Sequence, residues 1–170
     1  MKLSLCQIAM SDNENENLER QLSALRQAAL HGADLIVYPE LVFTDLTTPE
    51  LQLHRFFPQY EGRDVSDKLL TADHPIIRQF QDACRENRIM AAPNFYLREP
   101  SGCFDATLLI GGDGALLGRQ KMVHIAQAAQ FYEQDYYTPT AFWCSTRPTG
   151  KLALWCALTG TTPRASAPRL

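Results

Sequence analysis

The run Asp34-Leu35-Ile36-Val37-Tyr38 lies between a glycine-closed amphipathic segment and a proline, and it constrains the fold more than any other stretch. An apolar strand without polar alternation must be covered on both faces, as strands are in a layered α/β sheet. A helix is predicted before it, over residues 14–31. Leu18, Leu22, Leu25 and Ala29 recur at helical spacing, Asn13 with Glu16 makes a capping box, and Gly32 closes the C-terminus. The strand stops at Pro39, and Glu40 follows at once. Open α/β sheets put chemistry just beyond the carboxyl ends of strands, where the backbone is fixed and the loop opens to substrate. Glu40 therefore either begins a solvated loop or stands at the mouth of a site.

The remaining chain continues the alternation. Residues 2–10 read as a strand, and residues 41–72 are mixed and loop-rich. A second helix is predicted over 75–87, with Pro75 in its first turn, Asp73 or His74 near its cap, and Ile76, Ile77, Phe80 and Cys84 on its apolar face. Residues 89–97 form a strand. Residues 105–110 and 115–122 form a strand pair joined through Gly111-Gly112-Asp113-Gly114. Strands alternating with helices predict an α/β layered fold.

At 170 residues, with 45% hydrophobic and 21% charged residues, the chain is long and apolar enough for one packed domain. The net charge is −3 and the basic residues are scattered, which points away from nucleic acid and from a polybasic membrane contact. The apolar start, residues 1–10, is too short to span a bilayer and carries no cleavage pattern. The five cysteines (Cys6, Cys84, Cys103, Cys144 and Cys156) are odd in number, widely spread and free of any C-x-x-C pair. That pattern indicates neither a metal site nor a disulfide framework, and it fits reduced thiols in a cytoplasmic protein.

Three segments combine into a candidate site. The first ends in Glu40. The second, Gly118-Arg119-Gln120-Lys121-Met122-Val123-His124-Ile125, places a lysine at the end of a predicted strand. The third is Gln130-Phe131-Tyr132-Glu133-Gln134-Asp135-Tyr136-Tyr137-Thr138-Pro139. In this order they resemble the nitrilase superfamily of carbon–nitrogen hydrolases, most closely its N-carbamoyl amine amidohydrolase branch (N-carbamoylputrescine amidase type). The resemblance runs from Lys2 to Pro139 and implies a four-layer α-β-β-α sandwich, of which this chain would hold the N-terminal part, C-terminally truncated. It also implies a Glu-Lys-Cys catalytic set. Glu40 matches the general base, Lys121 the catalytic lysine and Glu133 the second glutamate.

The chemistry needs these types. A carboxylate accepts the proton of a thiol that must be ionised at neutral pH. A fixed ammonium stabilises the oxyanion formed on attack, and a second carboxylate holds that ammonium charged and in place. No metal or organic cofactor is implied. The implied partner is a small polar amide or N-carbamoyl substrate, and the intact family forms homo-oligomers. Taken singly, Lys121 and Glu133 could be ordinary surface charges. His124 lies past a strand end and is a weak candidate base, because the family does not use one. Asp105 stands where the family usually carries asparagine, a departure in local hydrogen bonding.

The nucleophile is the weak point. The family's cysteine follows an apolar strand and precedes aromatic-Asp-Arg and Pro-Glu patterns. Here Lys151-Leu152-Ala153-Leu154-Trp155-Cys156 supplies a strand and a thiol, but neither pattern follows. The genetic code offers an explanation. If the third base of each codon is read with the first two of the next, Trp143–Cys144 and Trp155–Cys156 each specify valine. The other positions permit the string G-F-L-V-F-D-T-P-Y-G-K-I-G-L-L-V-C-F-D-R-H-Y-P-E-S, which resembles the family continuing. This divides the chain into an incomplete carbon–nitrogen hydrolase domain over 1–139 and an aberrant, frameshifted tail over 140–170. Cys156 then sits near the nucleophile's place in a foreign context, and the chain as it stands is expected to be inactive. Two other readings stay open: a non-catalytic or pseudogene-like product, and a nitrilase acting on R–C≡N.

Overall fold

The computed structural model describes residues 1–9, 11, 13–40, 46–48, 53–55, 69–123, 125, 133–140, 144–147 and 150–153. In chain order the elements are β1 (Leu3–Leu5), α1 (Glu14–Leu30), β2 (Leu35–Val37), β3 (Leu46–Thr48), β4 (Leu53–Arg55) and α2 (Pro75–Asn87). They continue with β5 (Met90–Ala92), β6 (Asn94–Glu99), β7 (Gly102–Ile110), β8 (Leu116–Lys121), α3 (Glu133–Tyr136), β9 (Cys144–Arg147) and β10 (Gly150–Ala153).

The two long helices form where the sequence places them, for identifiable local reasons. The Asn13 side chain accepts from the backbone N–H groups of Asn15 and Glu16, at 3.0 and 3.2 Å, and so caps α1. The reciprocal half of the predicted capping box is replaced, because Glu16 turns instead to Arg20 one turn on, at 2.5 Å. Gly32, with φ +72°, turns the chain out of α1 into β2. Pro75 opens α2 and His74 caps it, its Nδ1 accepting from the Ile76 N–H at 3.3 Å. Arg88 ends α2 in the left-handed region, with φ 52°. Among the described residues no helix is long and apolar enough to cross a membrane.

The main sheet is mixed. β1, β2 and β5 run parallel, while β7 runs antiparallel to β5, β6 and β8. β5 and β6 share one register against β7, with Ala91 opposite Ile110 and Asn94 opposite Thr107. They are one strand interrupted at Pro93, which has no N–H to donate, although its carbonyl still accepts from the Leu108 N–H at 2.8 Å. The single strand predicted over 89–97 is thus broken in the middle and runs on to Glu99. The N-terminal strand is shorter than predicted, at three residues. The turn Pro100-Ser101 between β6 and β7 has no counterpart in the prediction, and β7 begins at Gly102.

The alternation of side chains gives the sheet two unlike faces. On the helix side Ile36, Ala91, Phe95, Leu97, Phe104, Ala106, Leu108 and Ile110 pack with Leu18, Leu22, Leu25, Ile77 and Phe80 into one core. Phe80 is fully buried, with the rings of Tyr38 and Phe95 set edge-on at 5.6 and 5.5 Å. On the other face a small apolar cluster of Leu35, Ala92 and Leu109 gives way to buried Asn94, Asp105, Thr107 and Gln120. The β7–β8 turn is sewn to α2. Gln81 Nε2 donates to the Gly114 carbonyl at 3.0 Å, and Gly114 (φ +80°) lies so close that a Cβ would sit 2.6 Å from the Gln81 oxygen.

Most of the segment over 41–72 lies outside the described residues. Leu70 does not: it adds a parallel bridge to the free edge of β6, its N–H donating to the Tyr96 carbonyl at 2.9 Å. In the tail, β9 and β10 pair antiparallel, with Lys151 opposite Thr146, and residues 154–170 lie outside the described set.

Candidate active site

Strand direction decides which residues share an edge of the sheet. β2, β5, β6 and β8 all run the same way, so their carboxyl ends point to one rim. Glu40 follows β2, Glu99 ends β6 and Lys121 ends β8, and all three therefore reach the same rim.

Tyr38 fixes the approach to Glu40. Its backbone N–H donates to the Ala92 carbonyl at 3.3 Å, its ring packs on Phe80, and its hydroxyl donates to the Gln21 carbonyl at 2.9 Å. Burial pushes the Tyr38 hydroxyl pKa up, so the group is locked as a neutral donor. Glu40 itself is half-buried, with its Oε1 shut away from solvent.

Lys121 pairs in register with Ala106, and its side chain lies over the helix-side end of the sheet. The ammonium donates to Glu99 Oε2 at 2.6 Å and sits 3.5 Å from the centroid of the Phe104 ring. Glu99 also meets the Arg119 guanidinium at 2.8 Å, a close ion pair that is not aligned as a hydrogen bond. The Glu99 side chain is 13% exposed and that of Lys121 18%, so this pair is largely withdrawn from water.

Glu133 is the first residue of α3, a single turn anchored from behind. The Tyr96 hydroxyl donates to the Tyr136 carbonyl at 2.7 Å, and the Tyr96 and Tyr137 rings meet edge-on at 5.4 Å. The Thr138 N–H donates to the Cys103 carbonyl at 2.8 Å. Gly102, with φ +141°, makes room for this seat: a Cβ there would stand 2.3 Å from Thr138 Oγ1. Gly102→Ala is expected to cost on the order of 1–3 kcal/mol through backbone strain, with the displacement of Thr138 in addition. Urea titration followed by circular dichroism measures it, and a midpoint equal to wild type would contradict the close seat.

The Asp105 position, which departs from the family's asparagine, is filled by a carboxylate accepting from a neighbour. Asn94 Nδ2 donates to Asp105 Oδ1 at 2.6 Å and also reaches Thr107 Oγ1 at 3.1 Å. Sequence reasoning missed Asn94, Tyr96 and Glu99. Their common signal is the hairpin they share with β7, which the residues Pro100-Ser101-Gly102 announce. Of the remaining predicted site residues, His124 and Cys156 lie outside the described residues, as does the Glu133 side chain.

Comparison with known proteins agrees on one family. The carbon-nitrogen hydrolase family model matches residues 2–163, a span that runs past Pro139. A citrullinase from Francisella tularensis is 27% identical over 140 residues, covering 82% of this chain and 46% of its own length. An N-carbamoylputrescine amidase from Oryza sativa is 24% identical over 142 residues, covering 82% of this chain and 43% of its own. Among solved structures, a carbon-nitrogen hydrolase from Helicobacter pylori G27 superposes with a TM-score of 0.74 at 20% identity, covering 89% of this chain and 50% of that one. A mutant amidase from Nesterenkonia sp. AN1, carrying acrylamide added at its active-site cysteine, superposes with a TM-score of 0.66 at 15% identity, covering 90% and 56% of the two chains. The chain spans about half the length of these relatives. With an α/β sheet of the nitrilase-superfamily kind and a family match over nearly its whole length, this chain belongs to the carbon-nitrogen hydrolases, which act on carbon–nitrogen bonds other than peptide bonds.

Proposed function

We propose that this chain carries the base and the cation of a cysteine amidohydrolase acting on a linear amide or an N-carbamoyl amine. Glu40 takes the proton of the thiol. The thiolate attacks the carbonyl carbon, and Lys121 stabilises the negative charge that develops on the oxygen. The carbon–nitrogen bond then breaks, Glu40 returns the proton to the departing amine or ammonia, and water cleaves the thioester left on the enzyme. Glu133 holds Lys121 charged and oriented. The observation that supports this most is the strand direction, which brings Glu40 and Lys121 to one rim of the sheet. The names of the sequence relatives favour a ureido substrate over a nitrile, as does the Phe131-Tyr132-Glu133 segment.

The thiol belongs at or beside Cys156, and the tail over 140–170 is read as the product of a shifted frame. A chain with that tail lacks the surroundings that would hold the nucleophile. A displacement of about 1 Å in such a site can cost about a hundredfold in rate. The expected result is no ammonia from N-carbamoylputrescine or citrulline with the 170-residue chain. Turnover should appear when the frame is restored near Thr138–Thr140. In the restored enzyme Glu40→Gln should lower kcat at least a hundredfold, since a positioned base contributes roughly 10²–10⁴. Nucleotide sequence around codons 136–142 that upholds the present frame would sink the frame argument. A restored enzyme inert toward ureido compounds and simple amides would sink the reaction.

A further inference from the structure

The geometry points to Glu99 as the positioning residue for Lys121, a role that rests on the catalytic reading of that lysine. Four observations on neighbouring strands converge. The carboxylate stands 2.6 Å from the Lys121 ammonium, and both side chains are mostly withdrawn from water. The Phe104 ring lies 3.5 Å from the ammonium and closes a second side of it. Arg119 meets the same carboxylate at 2.8 Å. Glu99 itself is fixed by the β6–β7 ladder, since its backbone faces Gly102 across the hairpin.

A lysine brings a flexible four-carbon stem and three rotatable donors, so an oxyanion donor of this kind must be held by its surroundings. Glu99 and Phe104 supply that restraint from the sheet, at the carboxyl end of β6 and the start of β7. A Glu–Lys pair across β7 also leaves α3 with less to do. Glu99 holds the ammonium itself, at Nζ. Arg119 shares the charge of Glu99 from a side chain 42% exposed, and so contributes less to the restraint.

The test is site-resolved acylation of lysines in the 170-residue protein by acetic anhydride, read by peptide mass spectrometry with Lys2 as the internal reference. Wild type should show Lys121 acylated at least tenfold more slowly than in Glu99→Gln, while Lys2 changes less than twofold. Arg119→Ala should raise the Lys121 rate less than threefold. In the frame-restored enzyme, Glu99→Gln should lower kcat at least tenfold with KM within threefold, because a misheld oxyanion donor is felt in the transition state. Equal Lys121 rates in wild type and Glu99→Gln overturn the proposal, as does a parallel rise at Lys2, which marks general loosening. A tenfold rise in Lys121 labelling with unchanged kcat in an active restored enzyme overturns it as well. If the restored wild type does not turn over at all, the catalytic reading fails instead, and the labelling result alone decides whether Glu99 holds the ammonium.

Discussion

Phe80→Ala is expected to destabilise the protein by about 3–5 kcal/mol, the range for deleting a fully buried aromatic side chain. Phe80 has no exposed surface and joins three elements at once. It stands on the inner face of α2, meets Tyr38 at the end of β2, and meets Phe95 on β6. Edge-on ring pairs of this kind add about 0.5–1.5 kcal/mol each beyond the area they bury. Removing the ring opens a cavity directly beneath the residue that fixes the approach to Glu40. Urea unfolding followed by circular dichroism should therefore show a lower midpoint, and Phe80→Leu should recover part of it. A loss under 1 kcal/mol for alanine would mean that the α2–sheet interface collapses around the gap.

Alkaline pH is the second strong lever. An unperturbed thiol ionises near pH 8.5. Burial pushes Cys84 up to about 12, and the side chain has no exposed surface. A pKa raised on folding favours the neutral form in the native state. The associated stability is thus fully present below the unfolded pKa and is lost as pH climbs from there toward the folded value. Across that window the loss is on the order of 4 kcal/mol. Burial raises Cys6 in the same direction, and Tyr38 too, with Cys6 and Cys84 adding to the shift of Tyr38. Stability measured from pH 7 to pH 11 should decline steadily, and Cys84→Ala should flatten the decline. A stability curve level through pH 11 would count against a desolvated thiol at this place.

The sequence announced those parts of the fold whose signals are local. Leu18, Leu22 and Leu25 at helical spacing, Asn13 at a cap and Gly32 at a close are all read within one or two turns, and α1 follows from them. The same holds for Pro75 and α2, and for the glycine-rich turn between β7 and β8. The family likeness was legible because Glu40, Lys121 and the aromatic segment before Pro139 occur in one order. What escaped was set by pairing across distance. Glu99 looks like an ordinary surface charge until β7 brings it beside Lys121, a residue 22 positions further on. Asn94 looks like a strand-end residue until the register places it against Asp105. The second half of the capping box is not formed, and Glu16 lies 2.5 Å from the Arg20 guanidinium one turn on.

The hydroxyl of Tyr96 reaches a carbonyl 40 residues later in the chain. Closing a loop of that length costs conformational entropy that the contacts at its end must offset. At that end they include the edge-on Tyr96–Tyr137 ring pair and the Thr138 N–H donating to the Cys103 carbonyl. The turn α3 thus hangs from the sheet by these contacts, and its amides should exchange with solvent sooner than those of β7, which is paired on both sides.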